Sequence, residues 1–339
     1  MQRDGPGLLL RDIIEDDAAD IAVAVAVIAK VGADVIVLSG MDYDAEGHAL
    51  TAFAEALGQA GAIYPHRFAA APNAGQATGL DLDGDGRVGT PRDAQGYGRF
   101  AGQGGMAVLS NIPIAGVRDH SDLLWHALPE NLLAGDTLGT GAVEVQRLSS
   151  KSHWIVSLAP EAATPFELWA FHATPPVFDG PEDRNGRRNH DEAAFWLRHL
   201  EGAFGARGEA PFILLGDANL DPLDGDGRPE ALRALLSHPA LQDPRPASAG
   251  GIAAAREGGA NAVHRGDPAL DTVNWRDDGG GPGNLRVDYV LPSAAWRVVG
   301  TGVFWPGPDD PKAKLLGGAG DGATRHRLVW VDLVLKGAP

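Results

Sequence analysis

Pro211-Phe-Ile-Leu-Leu-Gly-Asp-Ala-Asn-Leu-Asp221 is the stretch whose reading decides the fold. Its first half, Phe212 to Leu215, is a short unbroken apolar run, the mark of a strand buried on both faces. The run ends at Gly216, and two short polar side chains follow, Asp217 and Asn219, with one residue between them. A carboxylate and an amide at i and i+2, just past a buried strand, point to the same side. Taken alone, Gly-Asp-x-Asn also fits a plain Asx turn, so its meaning depends on the rest of the chain.

Three other segments share the design, an apolar run that delivers a polar residue at or near its end. They are Trp169-Ala-Phe-His172, Arg286-Val-Asp288-Tyr-Val-Leu and Thr324-Arg-His326-Arg-Leu-Val-Trp. Strand ends in layered sheet folds are where active sites are assembled. Asp288 sits among Val287, Tyr289, Val290 and Leu291. A carboxylate buried there needs a partner, because an unpaired one costs several kcal/mol. His326 suits that role, since an Asp–His pair orients the imidazole and poises it for proton transfer.

Further out, the pattern is that of an α/β layer. Ala18 to Val31 reads as a helix with Asp16-Asp17 at its start, although Val23, Val25 and Val27 also alternate as in a strand. Asp34 to Leu38 reads as a buried strand and Gly47 to Ala60 as a helix. Strand-like runs follow at 106–109, 154–158, 166–171, 287–291, 296–305 and 328–335, with helices at 192–204 and 229–236. Residues 71–105 and 243–284 are irregular and rich in Gly, Asp and Pro, the kind of long excursion that carries function. No linker, domain-scale repeat or coiled-coil seam divides residues 1–339, so one domain with two long insertions is expected.

The formal net charge is −17, from 28 Lys+Arg against 45 Asp+Glu. That argues against nonspecific nucleic-acid binding, which draws its affinity from cationic contacts to phosphates. It leaves room for phosphate esters held locally. With 0 Cys, disulfides, thiolate nucleophiles and zinc–sulfur sites are excluded. The most apolar run, Ile21 to Ala29, is too short to span a bilayer, and Met-Gln-Arg-Asp-Gly-Pro-Gly is no signal peptide. The sequence points to no protein partner.

Two other constellations carry chemistry. Asp81-Leu-Asp83-Gly-Asp85-Gly86 has the oxygen spacing of a calcium loop, but Arg92 stands where an EF-hand needs its twelfth-position Glu. Asp221, Asp224 and Asp226 form a related candidate. Both also fit solvated acidic turns, and calcium there would favour an extracytoplasmic location. Arg184, Arg187 and Arg188 crowd the loop read as entering the helix after His172, which makes either a phosphate-binding patch or a solvated loop.

The ordered set of motifs resembles the endonuclease/exonuclease/phosphatase superfamily, the deoxyribonuclease I-like phosphoesterases. Asp34-Val-Ile-Val-Leu38 resembles its second strand and Gly104-Gly-Met-Ala-Val-Leu-Ser110 its following Gly-strand-Ser segment. Phe171-His172, Gly216-Asp217-Ala-Asn219, Arg286-Val-Asp288-Tyr-Val-Leu and His326 match the family's catalytic segments in order. The resemblance implies a four-layer α/β/β/α sandwich with two mainly antiparallel sheets, hydrolysing phosphate esters with Mg²⁺, Mn²⁺ or Ca²⁺. It further implies that Asp217 and Asn219 position water and phosphate, that His172 donates to a phosphoryl oxygen, and that Asp288 orients His326.

Three departures qualify the resemblance. No apolar strand precedes Asp4-Gly5-Pro6, so the family's first strand is missing and a start upstream of Met1 is expected. Where the family has a metal-binding Glu after its second strand, this chain reads Ser39-Gly40-Met41-Asp42-Tyr43-Asp44, which leaves Asp42 or Asp44 as substitutes. Arg325 replaces the Asp before the last His and would bring positive charge to the site. Two functions therefore stand beside a phosphatase or phosphodiesterase. One is a catalytically impaired calcium-binding protein on the same fold. The other is a nuclease, disfavoured by the charge.

Overall fold

In a computed structural model the protein is described over residues 1–133, 141–205, 207–317 and 324–337. It begins with helices α1 (Leu8–Glu15) and α2 (Ala19–Val31), strand β1 (Val35–Met41), helix α3 (His48–Gln59), and strands β2 (His66–Phe68) and β3 (Gly105–Ser110). Strands β4 (Ile114–Asp119), β5 (His153–Leu158) and β6 (Phe166–His172) lead to helix α4 (Arg184–Leu200) and strand β7 (Phe212–Asp217). Helices α5 (Glu230–Leu236) and α6 (Ala249–Ala255) come next, then β8 (Val273–Asn274), β9 (Asn284–Leu285), β10 (Asp288–Pro292), β11 (Trp296–Val303) and β12 (Val329–Leu335).

The strands form sheets of order β1-β3-β2, β10-β7-β6-β5-β4, β11-β12 and β8-β9. All named pairings are antiparallel except β6 with β7. A period of two along each strand sends alternate side chains to opposite faces. On β1, Ile36 and Leu38 pack with α1, α2 and α3, while Val35 and Val37 turn inward. On β7, Ile213 faces the same inner core, and Phe212 and Leu214 face α4 and α5. Trp154 and Val156 of β5 also point inward, whereas Ile155 joins the α4 side. Helices, sheet, sheet and helices are thus separated by three cores, the α/β/β/α order expected from the motifs. The outer core is anchored by Trp169, stacked 3.8 Å from Phe212, and by Trp196. Burying each such side chain contributes roughly 3 kcal/mol.

The sequence expectations fail where tertiary contacts outweigh local signals. α4 begins at Arg184 rather than 192, so the supposed loop of arginines is its first two turns. The sequence reading has no counterpart of α1, which buries Leu9 and Ile13 at i and i+4; its apolar residues Leu8, Leu9, Leu10, Ile13 and Ile14 form two short runs in only eight residues. Residues 243–284 contain α6, β8, β9 and two 3₁₀ turns, and are not one irregular excursion. Among the described residues, no helix is long and apolar enough to cross a membrane.

Candidate active site

β7 lies between β6 and β10, and the register brings three of the expected residues into one row. His172 is the parallel partner of Asp217, and Asp288 is its antiparallel partner. Gly216 is needed for this alignment. Its φ is +149°, and a Cβ there would lie 1.9 Å from the carbonyl oxygen of Phe171. Past the strand, Asn219 adopts a left-handed conformation (φ +50°). Its backbone N–H donates to Asp217 Oδ1 at 2.8 Å, and its Nδ2 donates to the carbonyl of Ala173 at 2.8 Å. The Asx turn is therefore real, and it locks the side chains of Asp217 and Asn219 in place.

His326 arrives from the strand leading into β12. Its Nδ1 lies 3.0 Å from Asp288 Oδ2 and 4.0 Å from Asp217 Oδ2. Thr272 fixes the junction: its hydroxyl accepts from the backbone N–H of Val287 and of Asp288, and its carbonyl accepts from Arg327. His172 approaches from the other side, with Nε2 3.5 Å from Asp217 Oδ2. Its Nδ1 is buried without a hydrogen-bond partner among the described residues.

The electrostatics follow from this crowding. Burial, then the neighbouring charge of Asp288, pushes Asp217 up to about 7. Burial works against the imidazolium of His326, but Asp288 and Asp217 outweigh it and raise His326 to about 9. Its side chain is still 38% exposed, so the ring reaches the cleft. His172 goes the other way, down to about 3, because it is buried and faces Lys151 and His326. One imidazole is thus held charged and the other neutral.

His172, Asp217, Asn219, Asp288 and His326 line a cleft of ≈ 1970 Å³. Lys151 lines it too, with Nζ donating to the carbonyl of Gln103 at 3.2 Å and burial lowering its pKa to about 8. Sequence reasoning missed this lysine. The available signal was the β5–β6 hairpin, whose register pairs His153 with Phe171 and so sets residues before β5 beside the end of β6.

Several expected site residues lie elsewhere or are already engaged. Asp42 is buried and accepts from the backbone N–H of Arg3 and Gly104, and Asp44 accepts from those of His48 and Ala49 at the start of α3. Neither lines the cleft. Arg188 is buried, and its guanidinium donates to the carbonyls of Gln95, Arg147, Leu148 and Ser149. Arg184 donates to Gln146 Oε1, and Arg187 to the carbonyls of Glu182 and Leu132. These arginines tie α4 to neighbouring loops and form no free phosphate patch. Arg325 is exposed and does not line the cleft.

Of the acidic loops, Asp81, Asp83 and Asp85 bring ligand atoms within 4.8 Å of one another. Asp81 already accepts from the backbone N–H of Gly84, Asp85 and Gly86. The second loop does not converge on a point: Asp221 accepts from Arg286 N–H, and Asp224 from Arg265 and Gly266 N–H. Among the described residues, Asp217, Asp288 and His326 form the other set within 4.8 Å. A buried Asp217 whose ionisation is opposed by the Asp288 charge beside it is a donor that a hard divalent cation relieves. The two carboxylates fit such an ion, and His326 joins them as a ligand only in its neutral form.

Facing sheets with helices on both outer sides and polar strand ends gathered in one cleft make an α/β/β/α sandwich. The model of the Endonuclease/Exonuclease/phosphatase family matches residues 11–326, and the chain belongs to that family. Solved structures agree in fold. An endonuclease/exonuclease/phosphatase from Beutenbergia cavernae is 19% identical, covering 100% of this chain and 69% of its own, with a TM-score of 0.55. A family protein from Leptotrichia buccalis is 15% identical over 95% of both chains (TM-score 0.52). The Bacteroides thetaiotaomicron mannosyl-6-phosphatase Bt3783 is 13% identical, covering 98% and 97% (TM-score 0.50). No curated protein matches the chain.

Proposed function

We propose that the chain hydrolyses phosphate esters, as a phosphatase or phosphodiesterase, by in-line attack of a water held beside Asp217. The observation that carries this reading is the row His172–Asp217–Asp288 faced by His326 in one cleft. Asp217, with a pKa near 7, is matched to accepting a proton from water at neutral pH. Asn219, locked by its Nδ2 contact, keeps its carbonyl oxygen to orient that water. Imidazolium His326, aligned by Asp288, faces the negative charge that develops on the phosphoryl oxygens. Neutral His172 donates to the same group, and the Lys151 ammonium holds the ester in place.

Mg²⁺ or Mn²⁺ held by the carboxylates of Asp217 and Asp288, with His326 left as an imidazolium beside them, would add neutralisation of phosphoryl charge. The net charge of −17 disfavours nucleic acid and favours small esters. The mannosyl-6-phosphatase of similar fold supports a small phosphomonoester. The local engagement of Asp42 and Asp44 favours a second reading, an impaired enzyme whose 81–85 loop holds calcium.

Turnover of mono- and bis-4-nitrophenyl phosphate across Mg²⁺, Mn²⁺ and Ca²⁺ separates the two. The hydrolase reading expects metal-stimulated release of nitrophenol. Silence on both esters with every ion would support the second reading.

A further inference from the structure

The first turns of α4 bury three polar side chains, Arg188, Asn189 and Glu192, and each reaches backbone beside the catalytic row. Asn189 Nδ2 donates to the carbonyls of Thr174 and Ala218, both at 2.7 Å. Glu192 divides its carboxylate between two segments. Oε1 accepts from the backbone N–H of Ser150 at 2.5 Å, and Oε2 from that of Thr174 at 2.6 Å. Ser150 precedes Lys151, Thr174 follows His172 by two residues, and all four line the cleft. The Ser150 hydroxyl also donates to the carbonyl of His172, at 3.4 Å. A carboxylate with no exposure to water is costly to keep charged. This one is held by two backbone amides, and it stands behind the two loops that present Lys151 and His172.

We infer that Glu192 is a positioning residue for the phosphate subsite: its carboxylate fixes the spacing of Lys151 and His172 and keeps the Lys151 side chain cationic. The inference rests on the hydrolase reading above. The spacing follows from the two oxygens of one rigid group, each taking one loop by a short charge-assisted hydrogen bond. A glutamine has a single oxygen, so one of the two N–H groups would face an NH₂. The charge acts on Lys151. Burial is the largest influence on that amine and lowers its pKa to about 8; Asp42 and Glu192 favour the ammonium, and Arg188 opposes it. His172, the other titratable group beside Lys151 on this wall, is held neutral and adds no charge. Asp42 is already shared between the N–H groups of Arg3 and Gly104, so Glu192 is the acid that couples the charge of Lys151 to the geometry of its loop.

Glu192→Gln tests this in two ways. In ester turnover, kcat/KM falls on the alkaline side as Lys151 loses its proton, and in the variant that limb should lie lower in pH by roughly half a unit or more. Loosened packing alone would lower kcat/KM at every pH and leave the limb in place, which would overturn the inference. In the ligand-free proteins, the Lys151 Cε resonance should titrate near 8 in the wild type and lower in the variant. Equal midpoints would also overturn it. This second arm needs no turnover, so a silent ester assay with a shifted midpoint counts against the hydrolase reading and not against the coupling of Glu192 to Lys151. If the variant does not fold, the wild-type amide protons of Ser150 and Thr174 decide. Both should move in one step with the Glu192 Cδ resonance, and separate steps would contradict the shared carboxylate.

Discussion

Asp217 and Asp288 are direct cross-strand partners in the antiparallel register of β7 and β10, and His326 Nδ1 lies 4.0 Å from the first and 3.0 Å from the second. Two carboxylates sharing one imidazole in a buried corner cost stability, so the arrangement is expected to serve chemistry.

That cost can be measured. Asp217→Asn keeps the oxygen that accepts from Asn219 N–H and removes one of the two like charges. The folded pKa of Asp217 is raised, so its ionisation destabilises the fold as pH climbs from about 4 to about 7. With divalent ions chelated at pH 8, the variant should be more stable by roughly 1–3 kcal/mol. Ester turnover should nevertheless fall at least ~100-fold. Urea unfolding and a nitrophenyl ester assay read the two effects separately, and a loss of stability would contradict the account.

Lys151 should act on binding. Lys151→Gln is expected to raise KM about tenfold with a smaller effect on kcat, and Lys151→Arg to restore much of the loss. If kcat alone fell, the lysine would not be holding the ester.

Arg188 separates structure from phosphate binding. Arg188→Ala takes its donor from the Leu148 carbonyl and one of two side-chain donors from those of Gln95, Arg147 and Ser149, and should cost about 3 kcal/mol in urea unfolding. KM for a phosphate ester, measured where the variant is folded, should not change.

Gly216→Ala should be among the costliest small substitutions. The added methyl meets the Phe171 carbonyl at 1.9 Å and would push β6 and β7 apart at the catalytic row. A loss of about 2 kcal/mol or more is expected, together with activity.

His153 is one of the buried imidazoles, with His172 and His199, that weaken the fold in acid. It is buried, with Nε2 against the carbonyl of Glu192 and Nδ1 against Ser149 Oγ, and burial lowers its pKa to about 3. Between pH 6.5 and 3 the unfolded chain binds this proton and the folded chain does not, so stability falls as pH falls. The contribution is about 1.4 kcal/mol per pH unit. His153→Gln should reduce the slope of unfolding free energy against pH by that amount near pH 5, and an unchanged slope would place the titration elsewhere.

The parts of this site that were legible in the sequence are those written locally. The run from Phe212 to Leu215 reads as a buried strand because both its faces are covered, and Gly216-Asp217-Ala-Asn219 reads as its exit. What was illegible depends on distant partners. Asp42 looked available until Gly104, far along the chain, supplied it with a backbone donor. Arg184 to Arg188 looked like a loop because Asn185 and Gly186 are poor helix formers, yet the carbonyls around residues 95 and 147–149 hold Arg188 inside a helix. Lys151 belongs to no motif and enters the site only through the β5–β6 hairpin.

The most direct test of the central claim is kcat/KM for a nitrophenyl phosphate ester in the wild-type chain, His326→Ala and Asp288→Ala, with the activating ion at saturation. The account predicts metal-stimulated turnover that drops at least ~100-fold in each variant while the folded baseline is kept. Undiminished turnover in either variant would contradict the assignment of this centre.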